Sequence, residues 1–130
     1  MTALRIARHK PLDDLVLKVY HLELSDCRNE EEFREYIRLM LHNVDAILET
    51  LGCYVPEDRR VRRSADLVKM RAVRLRSLCT AVPKSFNDPE EWRVAAVSIV
   101  ANYKQLRIEA GFLYQLAVPN ATFGVLRAAL

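Results

Sequence analysis

A chain of 130 residues, 51% hydrophobic and 28% charged, has the size of one domain and too much apolar content for a disordered segment. Its net charge of +3 conceals a division. Residues 1–52 carry seven Lys/Arg against ten Asp/Glu, residues 53–84 nine against three, and residues 85–130 four against four. Three cysteines (Cys27, Cys53 and Cys79) without a CxxC pairing argue against a disulfide-stapled scaffold and fit a cytoplasmic, reducing compartment. The longest apolar run, Val94 to Ala101, is far short of the ~18 residues a membrane span needs, and no secretory signal is visible. The Asn120-Ala-Thr122 sequon therefore carries no weight.

Residues 1–10 read as a short flexible arm with Arg5, Arg8, His9 and Lys10. Pro11 suits a first helical position, with Asp13 and Asp14 in the first turn, where the helix dipole favours them. Leu12, Leu15, Val16, Val19 and Leu22 give this helix an apolar face. After a break at Ser25 to Arg28, Asn29 and Glu32 have capping-box spacing. The second helix runs to Leu51 with Gly52 as the residue beyond its end. Phe33, Ile37, Met40, Leu41, Val44, Ile47, Leu48 and Leu51 form its inner face.

Pro56 with Glu57 and Asp58 opens a third helix early, or Ser64 caps it late and leaves Arg59, Arg60, Arg62 and Arg63 in a loop. Val61, Ala65, Val68, Ala72, Leu75, Cys79 and Val82 form a narrow apolar stripe ending before Pro83. The fourth and longest helix starts near Asn87 or Asp88, with Pro89 in its first turn. At about 100° per residue, Trp92, Ala96, Ile99, Tyr103, Leu106, Ala110, Leu113, Tyr114 and Ala117 share one face. Val94, Val97, Ala101, Ile108 and Phe112 share the opposite face. Glu91, Ser98, Asn102, Gln105 and Glu109 form a polar strip between them. Gly111 weakens the helix locally. Val118-Pro119 breaks the pattern, and Phe123, Val125, Leu126 and Leu130 make an apolar tail.

No segment shows the alternation of a strand. The expected fold is all-α: a four-helix bundle in antiparallel up-down-up-down order, one domain over residues 11–130, with the short N-terminal arm and the apolar C-terminal tail.

Two features carry function. The first is the arginine-rich third helix. Arg59, Arg60, Arg63, Arg71 and Arg74 fall on one flank, and Arg62, Lys69 and Arg76 on the other. Arginine's planar fork suits phosphate or carboxylate, so this flank is a candidate site for nucleic acid or an acidic protein. No aromatic residue is interleaved with it, as single-strand binding would favour. Glu30, Glu31, Glu32 and Glu35 of the second helix are an alternative partner within the fold. The second feature is the outer stripe Val94, Val97, Ala101, Ile108 and Phe112. It is a candidate interface unless the first helix and the tail cover it.

Catalytic chemistry is not indicated. There is no phosphate loop, GxSxG or HExxH. His42, Asp45 and Glu49 share a helix face, but three histidines in the chain do not complete a metal shell, so neither metal nor cofactor is expected. Cys79 and Tyr103 read as core. The expected function is a non-catalytic helical-bundle interaction protein, an adaptor or a subunit of a larger assembly, with a protein partner or self-association. The alternatives are RNA or single-stranded nucleic-acid binding through Arg59–Arg76, and an enzyme or ligand-binding bundle whose site is assembled from separate helices.

Overall fold

The computed structural model of the chain describes residues 2–22, 24 and 27–118, with side chains described from Lys10 onward. Four helices follow one another: α1 (Thr2–His21), α2 (Glu30–Gly52), α3 (Arg59–Thr80) and α4 (Glu91–Ala117). Each packs beside its chain neighbour, α4 closes the ring against α1, and α2 touches α4 briefly across the diagonal. The contacts run in opposite directions along neighbouring helices. Asp13 meets Tyr114 whereas Tyr20 meets Arg107. Arg34 meets Pro83 whereas Asp45 meets Arg76. Arg71 meets Glu109, and Val61 and Leu116 line one groove. This is the expected all-α bundle.

The helix ends show why the chain folds this way. Asn29 stands in extended backbone before α2, and its side-chain oxygen accepts from the Glu32 amide at 2.8 Å. Glu32 reciprocates one residue further back, accepting from the Arg28 amide at 2.8 Å. Asn29→Ala is expected to cost about 1 kcal/mol, measured by urea denaturation. Gly52 is the last helical residue rather than the one beyond it, because Cys53 takes a right-handed conformation (φ −89°, ψ −4°) and no left-handed cap forms.

The start of α3 is the early one. Asp58 caps it, accepting from the amides of Arg60 (2.8 Å) and Val61 (3.3 Å), so Arg59 to Arg63 are helical. These two amides hold the Asp58 carboxyl below its ordinary range. Asp58 therefore stabilises the fold above about pH 4 and loses that contribution as pH falls through its depressed folded value. Thermal melts from pH 6 to pH 3 should fall less steeply in Asp58→Asn than in the parent chain.

At α4, Asp88 accepts from the Glu90 amide at 2.9 Å, and its carbonyl accepts from the Glu91 amide at 3.1 Å. The Pro89-Glu90 turn is thus capped by Asp88, and regular helix begins at Glu91. Gly111 is buried, and the helix continues through it. The first helix differs more from expectation. It begins at Thr2 and carries Pro11 inside it. Proline removes one backbone donor but adopts helical φ, and Ala, Leu, Arg and Lys before it are good helix formers. The apolar tail lies outside the described residues.

The core follows the inner faces. Leu12, Leu15, Val16 and Val19 of α1 meet Phe33, Met40, Val44 and Ile47 of α2, with Val68, Ala72 and Leu75 of α3. From α4, Trp92, Ile99, Tyr103, Leu106, Ala110, Leu113 and Tyr114 complete it. Phe33 packs against Trp92 and Phe86, ring centroids 5.8 and 6.3 Å apart, and ties the α3–α4 connection to the start of α2. Each large aliphatic side chain removed from water contributes roughly 1.5–3 kcal/mol.

Candidate interaction face

The nine-residue inner stripe of α4 faces inward as its spacing requires, with Ala96 and Ala117 half-buried at its margins. At its centre the Tyr103 hydroxyl donates to the Val19 carbonyl and accepts from the Asn43 amide at 3.5 Å. Burial pushes the Tyr103 phenol up to about 12. Arg107 stacks on the Tyr20 ring at 4.6 Å, and its carbonyl accepts from the Tyr20 hydroxyl at 3.1 Å. Tyr114 donates to Asp13 at 2.8 Å, and burial followed by that carboxylate raises it to about 12. These tyrosines join helices, and burial raises each phenol above its ordinary value.

The opposite face of α4 lies in water. Val94 is 74% exposed, Val97 72%, Phe112 63% and Ile108 51%, with Ala101 exposed among them. Helix α1 does not cover them, because it packs on the Tyr20–Arg107 side of α4. Leu67, Met70 and Val73 of α3 are also exposed. On the α1 side, Trp92, Ala96, Val97, Val100 and Ala101 line an open groove of about 700 Å³ with Cys27, Arg28, Arg93 and Lys104.

The five arginines grouped by sequence spacing separate in the structure. Arg59, Arg60, Arg63 and Arg74 are exposed. Arg71 is not equivalent to them. Its Nε donates to both oxygens of Glu109, at 3.2 and 3.1 Å, and Glu109 is only 8% exposed. Gln105 also donates to Glu109, at 3.2 Å. The polar strip expected between the two faces of α4 is therefore partly a contact with α3.

Two of the four glutamates at the start of α2 pair within their own helix, Glu30 with Arg34 at 3.3 Å and Glu35 with Arg38 at 2.5 Å, and Glu32 accepts from the Arg28 amide. The antiparallel order explains this. It sets the acidic start of α2 beside the end of α3, where Arg34 reaches the Pro83 carbonyl, and Arg59–Arg63 at the far end. Across α2 and α3 one exposed pair forms, Arg76 with Asp45 at 3.3 Å.

The described residues contain no group of three or more His, Cys, Asp or Glu able to hold a metal, and no helix long and apolar enough to cross a membrane. Cys79 is buried, its thiol pushed up to about 11, whereas Cys53 is exposed. Iodoacetamide at neutral pH should label Cys53 within minutes and leave Cys79 unlabelled until denaturant is added, read by peptide mass spectrometry. Comparable labelling of both would contradict this packing.

Sequence spacing grouped the residues of the outer stripe and of the basic flank, but it placed Arg71 with the exposed arginines and missed the role of Glu109. The available signal was its place in the polar strip of α4, on the flank that meets α3. No family model, curated protein or solved structure matches the chain.

Proposed function

We propose that this chain is a non-catalytic interaction module, an adaptor or a subunit of a larger assembly, that meets a partner through the outer face of α4, bordered by the arginines of α3. The observation that carries the reading is the stripe Val94, Val97, Ala101, Ile108 and Phe112, exposed along the whole helix. Contiguous apolar surface of this kind marks interaction sites rather than ordinary solvated helix faces. The odd cysteine number and the free cysteines, Cys79 buried among them, support an intracellular, reducing setting.

The test compares the parent chain with Val97→Asp/Ile108→Asp. Both positions are solvent-exposed, so the double variant should keep its circular dichroism and melting temperature. Immobilised parent chain should retain a discrete partner from a nuclease-treated extract, or self-associate by light scattering, and the variant should do neither. Equal behaviour of the two proteins would overturn the reading.

The exposure of Arg59, Arg60, Arg63 and Arg74 favours one second reading, nucleic-acid binding. It predicts oligonucleotide affinity that falls steeply with salt and is lost when these four become alanine, with Val97→Asp/Ile108→Asp neutral. Binding unchanged by the four substitutions would eliminate it.

A further inference from the structure

Resting on the interaction reading above, the partner's chemistry can be narrowed. We propose that the outer face of α4 receives an amphipathic α-helix with acidic flanks from another protein.

The backbone argues for a helix. From Val94 to Phe112 the stripe spans about 27 Å of straight helix. The amides and carbonyls inside α4 are bonded within it, so this face offers side chains and no backbone partners. An extended peptide laid there would lose water from its own amides without replacement. A helix arrives with its backbone already satisfied and presents side chains at the same spacing.

The charge argues for acidic flanks. On the α1 side the apolar groove is lined by Arg28 and Lys104, and by Arg93, whose charge is offset by Glu90 at 2.9 Å. On the α3 side the flank is fixed by Arg71, which reaches α4 at Glu109. Arg74 stands three residues from Arg71, on that same flank, and is exposed; Arg63, eight residues away, is exposed nearer the end of α4, whereas Arg60 is paired with Asp58 at 4.0 Å. Three acidic groups near these borders are paired, Glu90 with Arg93 at 2.9 Å, Glu109 with Arg71 at 3.1 Å and Asp58 with Arg60 at 4.0 Å, and Glu91 adds acid at the first turn of α4. An apolar strip between two cationic borders complements a helix with apolar centre and acidic edges. A second copy of this face would set like charges against each other. A nucleic acid would use the borders and leave the stripe wet.

The probes are designed amidated helical peptides of about 18 residues, with leucine at i, i+3, i+4 and i+7 and with Glu, Gln or Lys on both flanks. Binding is followed by fluorescence anisotropy of the labelled peptide with the full chain. The Glu-flanked peptide should bind best, weakening about tenfold between about 50 and about 300 mM salt. Arg74→Glu/Lys104→Glu should weaken it by about tenfold or more and shift preference to the Lys-flanked peptide. Val97→Asp/Ile108→Asp should abolish binding of all three.

Stripe-dependent binding that ignores flank charge would overturn the acidic partner and leave the interaction reading standing. No peptide binding, together with no stripe-dependent partner or self-association, would remove both. A dimer broken by Val97→Asp would give the face to a second copy. Peptide binding that appears only after truncation at Val118 would give it to the chain's own C-terminal residues. Competition by oligonucleotide without stripe dependence would give the borders to nucleic acid. Each of these last three outcomes overturns the proposal.

Discussion

Arg71→Ala is expected to destabilise the fold by about 3 kcal/mol, more than any other single arginine substitution on α3. The reason is the group left behind. Glu109 is 8% exposed, and without Arg71 its carboxylate keeps only the Gln105 amide as a side-chain donor. A buried charge deprived of its partner costs several kcal/mol, and the low end applies because a third of the Arg71 side chain meets water. Arg71→Met combined with Glu109→Leu should recover most of the loss, since apolar replacements of similar volume leave no charge unpaired. Arg60→Ala and Arg63→Ala should each stay within about 0.5 kcal/mol of the parent. Urea denaturation of the five proteins checks the set. A neutral Arg71→Ala would show that the pair contributes nothing, and the arginine would rejoin the exposed ones as a binding residue.

The second large effect contrasts the two faces of α4. Leu106 is fully buried near the middle of the helix, and Leu106→Ala is expected to cost about 2–5 kcal/mol through lost transfer energy and a residual cavity. Val97, nine residues earlier, is on the outer face, and even Val97→Asp should change stability by no more than about 0.5 kcal/mol. The contrast is sharper than size alone would give, because aspartate is the harsher substitution in a core and the milder one in water. If Val97→Asp unfolds the protein, the outer stripe is covered in solution, and neither the proposed interface nor its acidic partner survives. If Leu106→Ala is tolerated at under about 1 kcal/mol, the inner face is not packed as described.

The two effects place structural residues beside exposed ones proposed to bind. Arg71 lies three residues before Arg74 on one flank, yet Arg71 ties α3 to α4 and Arg74 is exposed. An alanine scan scored only by binding would confuse them, because loss of Arg71 weakens the scaffold that presents the face. Scoring stability and peptide binding together separates them.

The helices themselves were legible in the chain because their signals are local. The Asn29–Glu32 cap, the Asp88-Pro89 turn and the 3.6-residue spacing of Trp92, Tyr103 and Leu113 need only near neighbours to be read. So did the division of α4 into two apolar faces. Helix boundaries were less so. Pro11 reads as a beginning, yet helix continues through it, since one missing donor does not outweigh favourable residues on both sides.

What the sequence alone determined, then, is that this chain makes four amphipathic helices and that two of them carry surplus chemistry on their outer sides. Only the tertiary structure decided what becomes of that surplus. Antiparallel packing sets the α2 glutamates at the opposite end from Arg59–Arg63, and it brings Glu109 to Arg71 across 38 residues of chain. It leaves the Val97–Phe112 face without cover from α1. Periodicity tells which residues share a face, and the direction and order of neighbouring helices decide what that face meets.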